Sequence, residues 1–354
     1  MKQKLLGLTL PQLEHVVLSY GLPRFTASQI AQWLYKKKVK SIDAMTNLSK
    51  AAREKLAADF ELGVTEPISS ARSSDGTVKY LFPVSCCTRP ASGEREAIYE
   101  ESAIEAVMIP DGDRATLCVS SQAGCKMGCK FCMTGRQGWH GNLDAAQILN
   151  QIISIEESDK ITNIVFMGMG EPLDNYKVLS DVLDCLCSDW GFAWSPKRIT
   201  VSSIGVIPQL KRLLDEHKCH IAISLHDPFP EERLEIMPVQ AAYDITEVVA
   251  LLKQYDFTGQ RRVSFEYTMF SGFNDDKRHA DALVRLLKGL ECRVNLIRFH
   301  KIPDFPYVTS NAASIESFRQ RLVSQGITAT LRASRGEDIL AACGMLAGKN
   351  KKQE

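Results

Sequence analysis

The sequence predicts an α/β protein built on a parallel β-sheet. Apolar segments of strand length recur from residue 115 onward, and segments with the periodicity of amphipathic helices fill the gaps between them. Regular alternation of strand and helix is typical of a parallel sheet covered by helices. The predicted strands are ATLCVSS, NIVFMGMG, RITVSSIG, HIAISLH, RRVSFEYTMF and RVNLIRFH. No glycine-rich dinucleotide-binding fingerprint follows any of these strands.

A small helical module precedes the sheet. Residues 1–62 contain three segments with helical patterns, and the first begins after Thr9, a residue type that caps helix N-termini. A basic segment, Lys36 to Lys40, lies next to Trp33 and Tyr35. Lysines beside aromatic rings suit an RNA backbone with a stacking surface. Alternatively, the two aromatic residues belong to the core of the module. We expect this module to be an accessory RNA-binding domain.

Residues 63–110 are predicted to form a β-rich connection. Segments of alternating apolar and polar residues flank an Asp75–Gly76 turn, which is a hairpin signal. The segment IEAVMIP then leads into the first strand of the main domain. The sequence indicates no function for the stretch between them, residues 84–101.

Three cysteines follow the first strand in a C-x3-C-x2-C array, formed by Cys125, Cys129 and Cys132. A structural zinc site requires four ligands, and no paired C-x2-C or H-x3-H motif lies nearby to provide the fourth. An iron-sulfur cube held by three cysteines leaves one iron with an open coordination position, which a small molecule can occupy. The array therefore predicts a catalytic iron-sulfur cluster.

The array and other segments of the chain resemble a known family. A C-x3-C-x2-C array after a first strand is the signature of the radical S-adenosylmethionine (SAM) enzymes. Within that superfamily, five segments resemble, in order, the RlmN/Cfr family of RNA adenine methyltransferases. These segments are RATLCVSSQAGC, FMGMGEPLDNY, ITVSSIGVIP, ISLHDP and DILAACGML. The resemblance covers residues 5–347. It implies a partial (β/α)6 barrel over 111–347, whose C-terminal extension carries Cys343, and it leaves a basic tail at 348–354.

The resemblance implies that one 4Fe-4S cluster and SAM are the cofactors. SAM would occupy the open iron, with further contacts from the strand ends, where such barrels place their functional residues. The implied SAM-binding residues are Gly170, Glu171, Ser202, Ser224, Leu225, His226 and His300. His300 stands where the family has an asparagine, and a neutral imidazole can donate or accept one hydrogen bond at each nitrogen.

Three further residues carry the chemistry that the resemblance implies. Cys343 accepts a methyl group from one SAM, and a radical derived from a second SAM activates this methyl group for addition to adenine. Cys118 resolves the covalent protein–RNA intermediate by forming a disulfide with Cys343, and Glu105 matches a proposed proton acceptor. Without the resemblance, both cysteines are apolar-flanked thiols typical of a protein core.

The implied activity is an RNA (adenine-C2) methyltransferase of EC class 2.1.1. Its expected substrates are an adenosine in the peptidyl-transferase region of 23S rRNA and the adenosine 3′ of the anticodon in some tRNAs. Methylation at carbon 8 of the rRNA adenosine, which gives antibiotic resistance, is the alternative within this architecture. From another class, the alternative is a non-catalytic RNA-binding protein whose cysteines hold a structural metal.

Composition limits the partners and the location. Lys and Arg number 43 against 42 Asp and Glu, so RNA contacts must come from local basic patches rather than from a global field. With no export signal and no membrane-length segment, we expect a cytoplasmic monomer with reduced cysteines and no membrane association. Its reducing partner would be of the flavodoxin or ferredoxin kind. Candidate patches are Lys36 to Lys40, Arg298 with Lys301, Arg332 with Arg335, and Lys349, Lys351 and Lys352.

Overall fold

The computed structural model describes residues 2–89, 98–259 and 261–347. Residues 2–62 form a helical module, in which a short parallel strand pair brings the two ends of the module together. Its elements are β1 (Gln3–Lys4), α1 (Leu10–Ser19), α2 (Thr26–Ala31), α3 (Lys50–Asp59) and β2 (Phe60–Glu61). A π-helical turn, Gln32–Lys36, continues α2. The basic tail predicted at 348–354 lies outside the described residues.

The two aromatic residues of the basic segment have different environments. Tyr35 is buried, and its hydroxyl donates a hydrogen bond to the backbone carbonyl of Leu8 at 2.6 Å. The ring of Tyr35 packs against Trp190, with 5.7 Å between the ring centroids, and so joins the module to the main domain. Trp33 is only partly buried, and the ammonium group of Lys37 lies 3.5 Å from the centre of its ring. Tyr35 is therefore a core residue, whereas Trp33 keeps an accessible part beside a lysine.

Two lysines of the basic segment form ion pairs with neighbouring parts of the chain. Lys38 binds Asp159 at 2.8 Å, and Lys40 binds Glu66 at 2.6 Å. These carboxylates compensate part of the positive charge that an RNA backbone would meet.

Residues 63–142 contribute an antiparallel part to the sheet. Its strands are β3 (Ser69–Arg72), β4 (Val78–Arg89), β5 (Ile98–Asp111), β6 (Arg114–Cys118), β7 (Gln122–Gly124) and β8 (Trp139–Asn142). The predicted turn lies between β3 and β4, where the Asp75 carboxylate accepts a hydrogen bond from the Thr77 N–H at 2.9 Å. The stretch 84–101 belongs to the long β4–β5 hairpin, although residues 90–97 of it lie outside the described part of the chain.

Seven consecutive parallel strands build the main sheet within the described residues, beginning with β6. The others are β9 (Asn163–Phe166), β10 (Ile199–Ser203), β11 (His220–Ser224), β12 (Val263–Met269), β13 (Arg293–Arg298) and β14 (Thr328–Leu331). The first six coincide with the six predicted strands, which confirms the predicted fold class. The sequence does not predict β14, because this short edge strand buries only one of its four residues and so lacks an apolar run.

Eight further α-helices follow α3 in the described part of the chain. They are α4 (Met133–Arg136), α5 (Ala145–Ile153), α6 (Tyr176–Cys187), α7 (Ile207–Glu216), α8 (Pro230–Ile236), α9 (Ile245–Leu252), α10 (Lys277–Leu287) and α11 (Ala312–Ser324). In α10, for example, Ala280, Leu283 and Leu287 recur at helical spacing and are buried. No helix in the described ranges combines the length and the apolar character needed to cross a membrane. Because the strands are parallel, their carboxyl ends meet at one edge of the sheet.

Candidate active site

The loop between β7 and α4 carries the three cysteines of the array. The Cys125 N–H donates to the Gly138 carbonyl at 2.8 Å, and the Cys132 N–H donates to the Cys129 carbonyl at 3.2 Å. All three cysteines line one cavity at the carboxyl ends of the strands, whose empty volume, including its open mouth, is about 940 Å³. Burial raises the pKa of Cys125 to about 12, and it also raises the pKa of Cys129 and of Cys132. Binding a metal centre would offset this cost, because metal ligation holds a thiol in its deprotonated form.

Three thiols that line one cavity can hold a single metal centre. They are one ligand short of a closed zinc site, whereas they would leave a 4Fe-4S cluster with one iron open to a small molecule. These cysteines are therefore the residues that would hold a 4Fe-4S cluster.

Gly170 and Glu171 follow β9 and form part of the cavity wall. Gly170 has a φ of +98°, and an added Cβ would lie 2.5 Å from the Cβ of Gln122, so a larger residue does not fit. The buried Glu171 carboxylate accepts hydrogen bonds from the N–H groups of Leu173 at 3.0 Å and Ile204 at 2.9 Å. Burial raises the pKa of Glu171 to about 7. An ammonium group in the cavity would favour its charged form, so this wall suits a cationic ligand group.

Three of the four predicted residues on β10 and β11 line the same cavity, namely Ser202, Ser224 and His226. His226 has a φ of +58°, and its Nδ1 accepts a hydrogen bond from the Thr268 N–H at 3.0 Å, so the proton of the neutral ring lies on Nε2. Burial lowers the pKa of His226 to about 3, which keeps the ring neutral. Leu225 is fully buried in the hydrophobic core and does not line the cavity.

His300 also lines this cavity, at the end of β13. Its two ring nitrogens face the C-terminal segment, because Nδ1 lies 3.3 Å from Glu337 Oε1 and Nε2 lies 3.2 Å from Ser334 Oγ. In this arrangement His300 joins the C-terminal segment to β13.

Cys118 and Cys343 line a second, smaller cavity with an empty volume of about 490 Å³. Cys118 is buried at the end of β6, whereas Cys343 is exposed on the C-terminal segment. Cys343 also lines the larger cavity, so it stands at the junction of the two. Burial raises the pKa of Cys118 to about 12. Both residues are free thiols, as are all the other cysteines.

Hydrogen bonds to the cluster loop fix the segment that carries Cys343. The Gly344 carbonyl accepts from the Met133 N–H at 2.8 Å, and the Leu346 carbonyl accepts from the Thr134 hydroxyl at 2.7 Å. The residues on both sides of this contact are thus held against each other, which keeps Cys343 beside the cluster cysteines.

Glu105 contributes a further anchor for the same segment. Its buried carboxylate accepts a hydrogen bond from the Ala347 N–H at 2.7 Å and forms an ion pair with Lys79 Nζ at 2.8 Å. Glu105 does not line either of the cavities described above. Its contacts therefore make it a positioning residue for the C-terminal segment.

Arg332, just after β14, is a site residue that the sequence suggests only as part of an RNA-contacting patch. Its Nη1 lies 3.3 Å from Met167 Sδ and 3.5 Å from Glu266 Oε2. Arg332 lines both cavities, and its charge lowers the pKa of Cys118, against the larger effect of burial. Cys343 is the strongest influence raising the pKa of Arg332. The sequence feature that could have indicated a buried arginine here is Glu266, a lone carboxylate within an apolar strand, because a buried carboxylate requires a positively charged or hydrogen-bonding partner.

The parallel barrel and its cysteine loop define the class of protein. Residues 119–283 match the model of the Radical SAM superfamily, and residues 3–62 match that of the ribosomal RNA large subunit methyltransferase N-terminal domain. A crystal structure of a radical SAM methyltransferase from Sphaerobacter thermophilus has the same fold, with a TM-score of 0.87 and 38% sequence identity over 98% of this chain and 100% of that chain. The molecule is thus a radical SAM methyltransferase, a class that uses a 4Fe-4S cluster and SAM.

Relatives of known name give the particular family. A probable dual-specificity RNA methyltransferase RlmN from Bacteroides fragilis is 54% identical over 98% of this chain and 96% of its own length. The corresponding protein of Parabacteroides distasonis is 55% identical over 98% of this chain and 97% of its own length. The dual-specificity RNA methyltransferase RlmN of Syntrophus aciditrophicus is 39% identical over 97% of this chain and 95% of its own length. The chain belongs to the RlmN family of radical SAM RNA methyltransferases, and its substrates are RNA.

Proposed function

We propose that this enzyme methylates carbon 2 of an adenosine in the peptidyl-transferase region of 23S rRNA and of the adenosine 3′ of the anticodon in some tRNAs. The relatives are named dual-specificity RNA methyltransferases, and residues 3–62 match a ribosomal RNA methyltransferase domain. Both observations support carbon 2 over carbon 8, because they join this chain to the RlmN members of the family. The adenine must leave its stack to reach the barrel mouth, as in other base-modifying enzymes.

One observation carries the proposal, namely the place of Cys343 at the junction of two cavities. In the larger cavity it faces the cluster cysteines and the residues that would bind SAM, which are Gly170, Glu171, Ser202, Ser224 and His226. In the smaller cavity it faces Cys118. When bound, the cluster and two SAM molecules per product supply an electron, a methyl group and a 5′-deoxyadenosyl radical. A thiol so placed can receive a methyl group on one side and deliver it on the other.

Cys343 becomes S-methylated, and loss of one hydrogen atom from that methyl group leaves a methylene radical that adds to carbon 2 of adenine. The adduct radical gives up one electron, which the bound cluster would take back, and Cys118 takes the ring proton. The Cys118 sulfur then attacks the Cys343 sulfur. The bond between Cys343 and the methylene carbon breaks with its electron pair on carbon, and the proton passes from Cys118 to that carbon, which releases methylated RNA and forms a Cys118–Cys343 disulfide. Two electrons from a reductant restore the two thiols. Cys118 is the better base of the two that the sequence suggests, because Glu105 lies outside both cavities and is paired with Lys79.

RNA would approach over the mouth of the larger cavity. Arg298 lines this cavity and is exposed, and Lys301 is an exposed neighbour. These two cations suit phosphate contacts that position the RNA without reading its sequence. The proposed enzyme works as a cytoplasmic monomer and receives its electrons from a flavodoxin or ferredoxin.

Mass spectrometry of nucleosides tests the proposed product. Protein-free 23S rRNA and tRNA are incubated with anaerobically reconstituted enzyme, SAM and a strong reductant, and the RNA is then digested. We expect 2-methyladenosine from the wild type and no methylated adenosine from Cys343→Ala. An 8-methyladenosine product would replace the proposed position with the alternative one.

The metal content separates the enzyme from a non-catalytic RNA-binding protein. Anaerobic reconstitution should give a brown protein with about four irons per chain, as a 4Fe-4S cluster requires. A colourless protein with one zinc held by Cys125, Cys129 and Cys132 would instead support the structural-metal alternative.

A further inference from the structure

A second group of ligand-type side chains lies outside both cavities. It consists of Asp227, Glu232 and His279, and one potential ligand atom of each lies within 4.8 Å of the others. The side chains of Asp227 and His279 are 0% and 2% exposed, and that of Glu232 is 25% exposed. They come from three places in the chain, namely the turn after β11, helix α8 and the first turn of α10.

The hydrogen bonds of His279 define what its inner nitrogen faces. Nδ1 lies 2.7 Å from Asp276 Oδ1, so this nitrogen carries a proton and donates it to the carboxylate. Nε2 then faces two further carboxylate oxygens, Glu232 Oε2 at 2.7 Å and Asp227 Oδ2 at 3.7 Å. A neutral ring would direct its Nε2 lone pair at acceptor oxygens, which is repulsive. A positive species, either a proton or a metal cation, must therefore lie between Nε2 and the carboxylates.

The unpartnered oxygen of Asp227 distinguishes a proton from a metal cation. Asp227 Oδ1 accepts a hydrogen bond from the Phe229 N–H at 2.8 Å, but the buried Oδ2 has no hydrogen-bond partner among the described residues. A proton on Nε2 satisfies Glu232 at 2.7 Å and leaves Asp227 Oδ2 beyond hydrogen-bond distance at 3.7 Å. An unpaired buried carboxylate oxygen is costly. A divalent cation would satisfy all three atoms at once.

We propose that Asp227 Oδ2, Glu232 Oε2 and His279 Nε2 bind one divalent transition-metal ion of the zinc type. One imidazole nitrogen and two carboxylate oxygens are common protein ligands of Zn²⁺, whereas Mg²⁺ and Ca²⁺ prefer oxygen alone. Asp276 acts as the outer carboxylate that orients the metal-binding histidine, an arrangement found in most zinc sites.

The charges around the site agree with a bound cation. The nearby carboxylates are Asp227, Glu232 and Asp276. The nearby cations are Arg278, which pairs with the other oxygen of Glu232, and the buried Arg233, whose charge interacts with Asp227. Three negative charges against two leave a net negative charge around a neutral His279, which a bound cation would offset. The guanidinium of Arg278 lies over the ring of Phe229, 4.1 Å from its centre, and so stays on the outer side of Glu232.

The proposed ion has a structural consequence for the active site. Asp227 directly follows His226, which has a left-handed φ of +58° and lines the SAM cavity. Tying Asp227 to α8 and α10 through one ion would fix this strained turn. The site is independent of the proposed RNA substrate, since none of its three ligands lines either cavity.

Metal analysis of the holoenzyme tests the proposal. Protein with its cluster intact is incubated anaerobically with a small excess of ZnCl₂ and desalted, and zinc and iron are measured together. We expect one zinc for four irons in the wild type, and at least a tenfold loss of zinc at unchanged iron in Glu232→Gln, Asp227→Asn and His279→Gln. His217→Gln, at a partly buried histidine that pairs with Ser180 instead, should keep its zinc. Because Glu232 is partly exposed, Glu232→Gln is expected to fold normally even if changes at the buried Asp227 or His279 unfold the protein.

X-ray absorption at the zinc edge distinguishes zinc at this site from zinc bound by cysteine thiols elsewhere in the protein. The proposed site gives nitrogen and oxygen neighbours at about 2.0–2.2 Å, whereas cysteine sulfur would lie at about 2.3 Å. Sulfur neighbours, or no zinc retained by wild-type holoenzyme, would overturn the proposal, and His279 would then be an imidazolium held by carboxylates. Failure of the methylation assay would not affect this result, because the metal content is measured without RNA.

Discussion

Arg332 and Cys118 line the same small cavity, and the positive charge of Arg332 lowers the pKa of Cys118 against the effect of burial. Burial is the larger effect and raises the pKa of Cys118 to about 12. The Cys118 thiolate that the proposed resolution step requires therefore depends on the guanidinium of Arg332, which follows the last strand of the sheet. This relationship makes Arg332 a positioning residue for the proposed resolution step.

We expect Arg332→Gln to slow the resolution of the protein–RNA intermediate. Without the cation, the pKa of Cys118 rises further, and each unit lowers the thiolate fraction about tenfold. The measurement is the rate at which the covalent adduct decays on denaturing gels between pH 7 and 9. This rate should be lower than in the wild type at each pH, so that a given rate is reached only at a higher pH. Arg335→Gln removes a nearby arginine that pairs with Asp111 and should leave the profile unchanged. An unshifted profile in Arg332→Gln would remove the assigned role.

Cys118→Ala should trap the enzyme covalently on RNA. Without the second thiol, the methylene bridge between Cys343 and adenine cannot be resolved, so a slower-migrating, ribonuclease-sensitive band should accumulate to a large fraction of the protein. Cys219→Ala, which changes a buried core cysteine elsewhere, should give no such band. Normal turnover by Cys118→Ala would show that another group resolves the intermediate.

Gly170→Ala should destabilise the protein and abolish SAM binding. Its φ of +98° disfavours a side chain by about 1–2 kcal/mol, and the new Cβ would also lie 2.5 Å from Gln122 Cβ. Gly21→Ala is the matched control, because Gly21 has a φ of +69° with no atom within 4 Å of the added Cβ. Urea unfolding and equilibrium SAM binding measure the two effects. Equal losses of stability in both variants would mean that Gln122 moves away from the new methyl group at no cost in free energy.

Lys79→Met should destabilise the protein by about 3–5 kcal/mol, because it removes the cation of a buried ion pair. The Lys79 and Glu105 side chains are only 17% and 3% exposed, and Glu105 also holds the Ala347 N–H. Lys40→Met breaks an ion pair whose side chains are 63% and 64% exposed, so we expect little change there. Chemical unfolding of both variants provides the comparison. Similar small effects would show that Glu105 does not depend on Lys79.

The stability of the protein without SAM should depend on pH through Glu171. Burial raises its pKa from 4.5 to about 7. The burial of the neutral carboxyl group is therefore tolerated fully below pH 4.5, and the free energy of unfolding falls as the pH rises from 4.5 towards 7. Glu171→Gln, compared with the wild type by unfolding at pH 5 and pH 7.5, should therefore gain relative stability at the higher pH. Glu316→Gln should show almost no such trend between these two pH values, because a hydrogen bond from Arg319 lowers the pKa of Glu316 to about 2 and the carboxylate stays ionised throughout that range. A pH-independent difference for Glu171→Gln would contradict the prediction.

The local pattern of the chain is enough to predict the cysteine array and the six main strands, because each depends on near neighbours, such as the spacing of ligands within one loop or an apolar run of strand length. The strand-end residues Gly170, Glu171, Ser202, Ser224 and His226 are assigned through the resemblance to the family, since a polar residue at the end of a strand is common without any function. The hydrophobic periodicity that predicts the strands fails for β14, since an exposed edge strand buries too little to need an apolar run.

Only the tertiary structure decides which distant residues meet. Cys118 and Cys343 share a cavity although they are far apart in sequence, and Arg332 joins them there. The Lys79–Glu105 pair, and the group formed by Asp227, Glu232 and His279, likewise join residues from different elements of the fold. The physical reason is that a sequence pattern reports the environment of one element, whereas burial, pKa and metal-ligand geometry depend on contacts between elements.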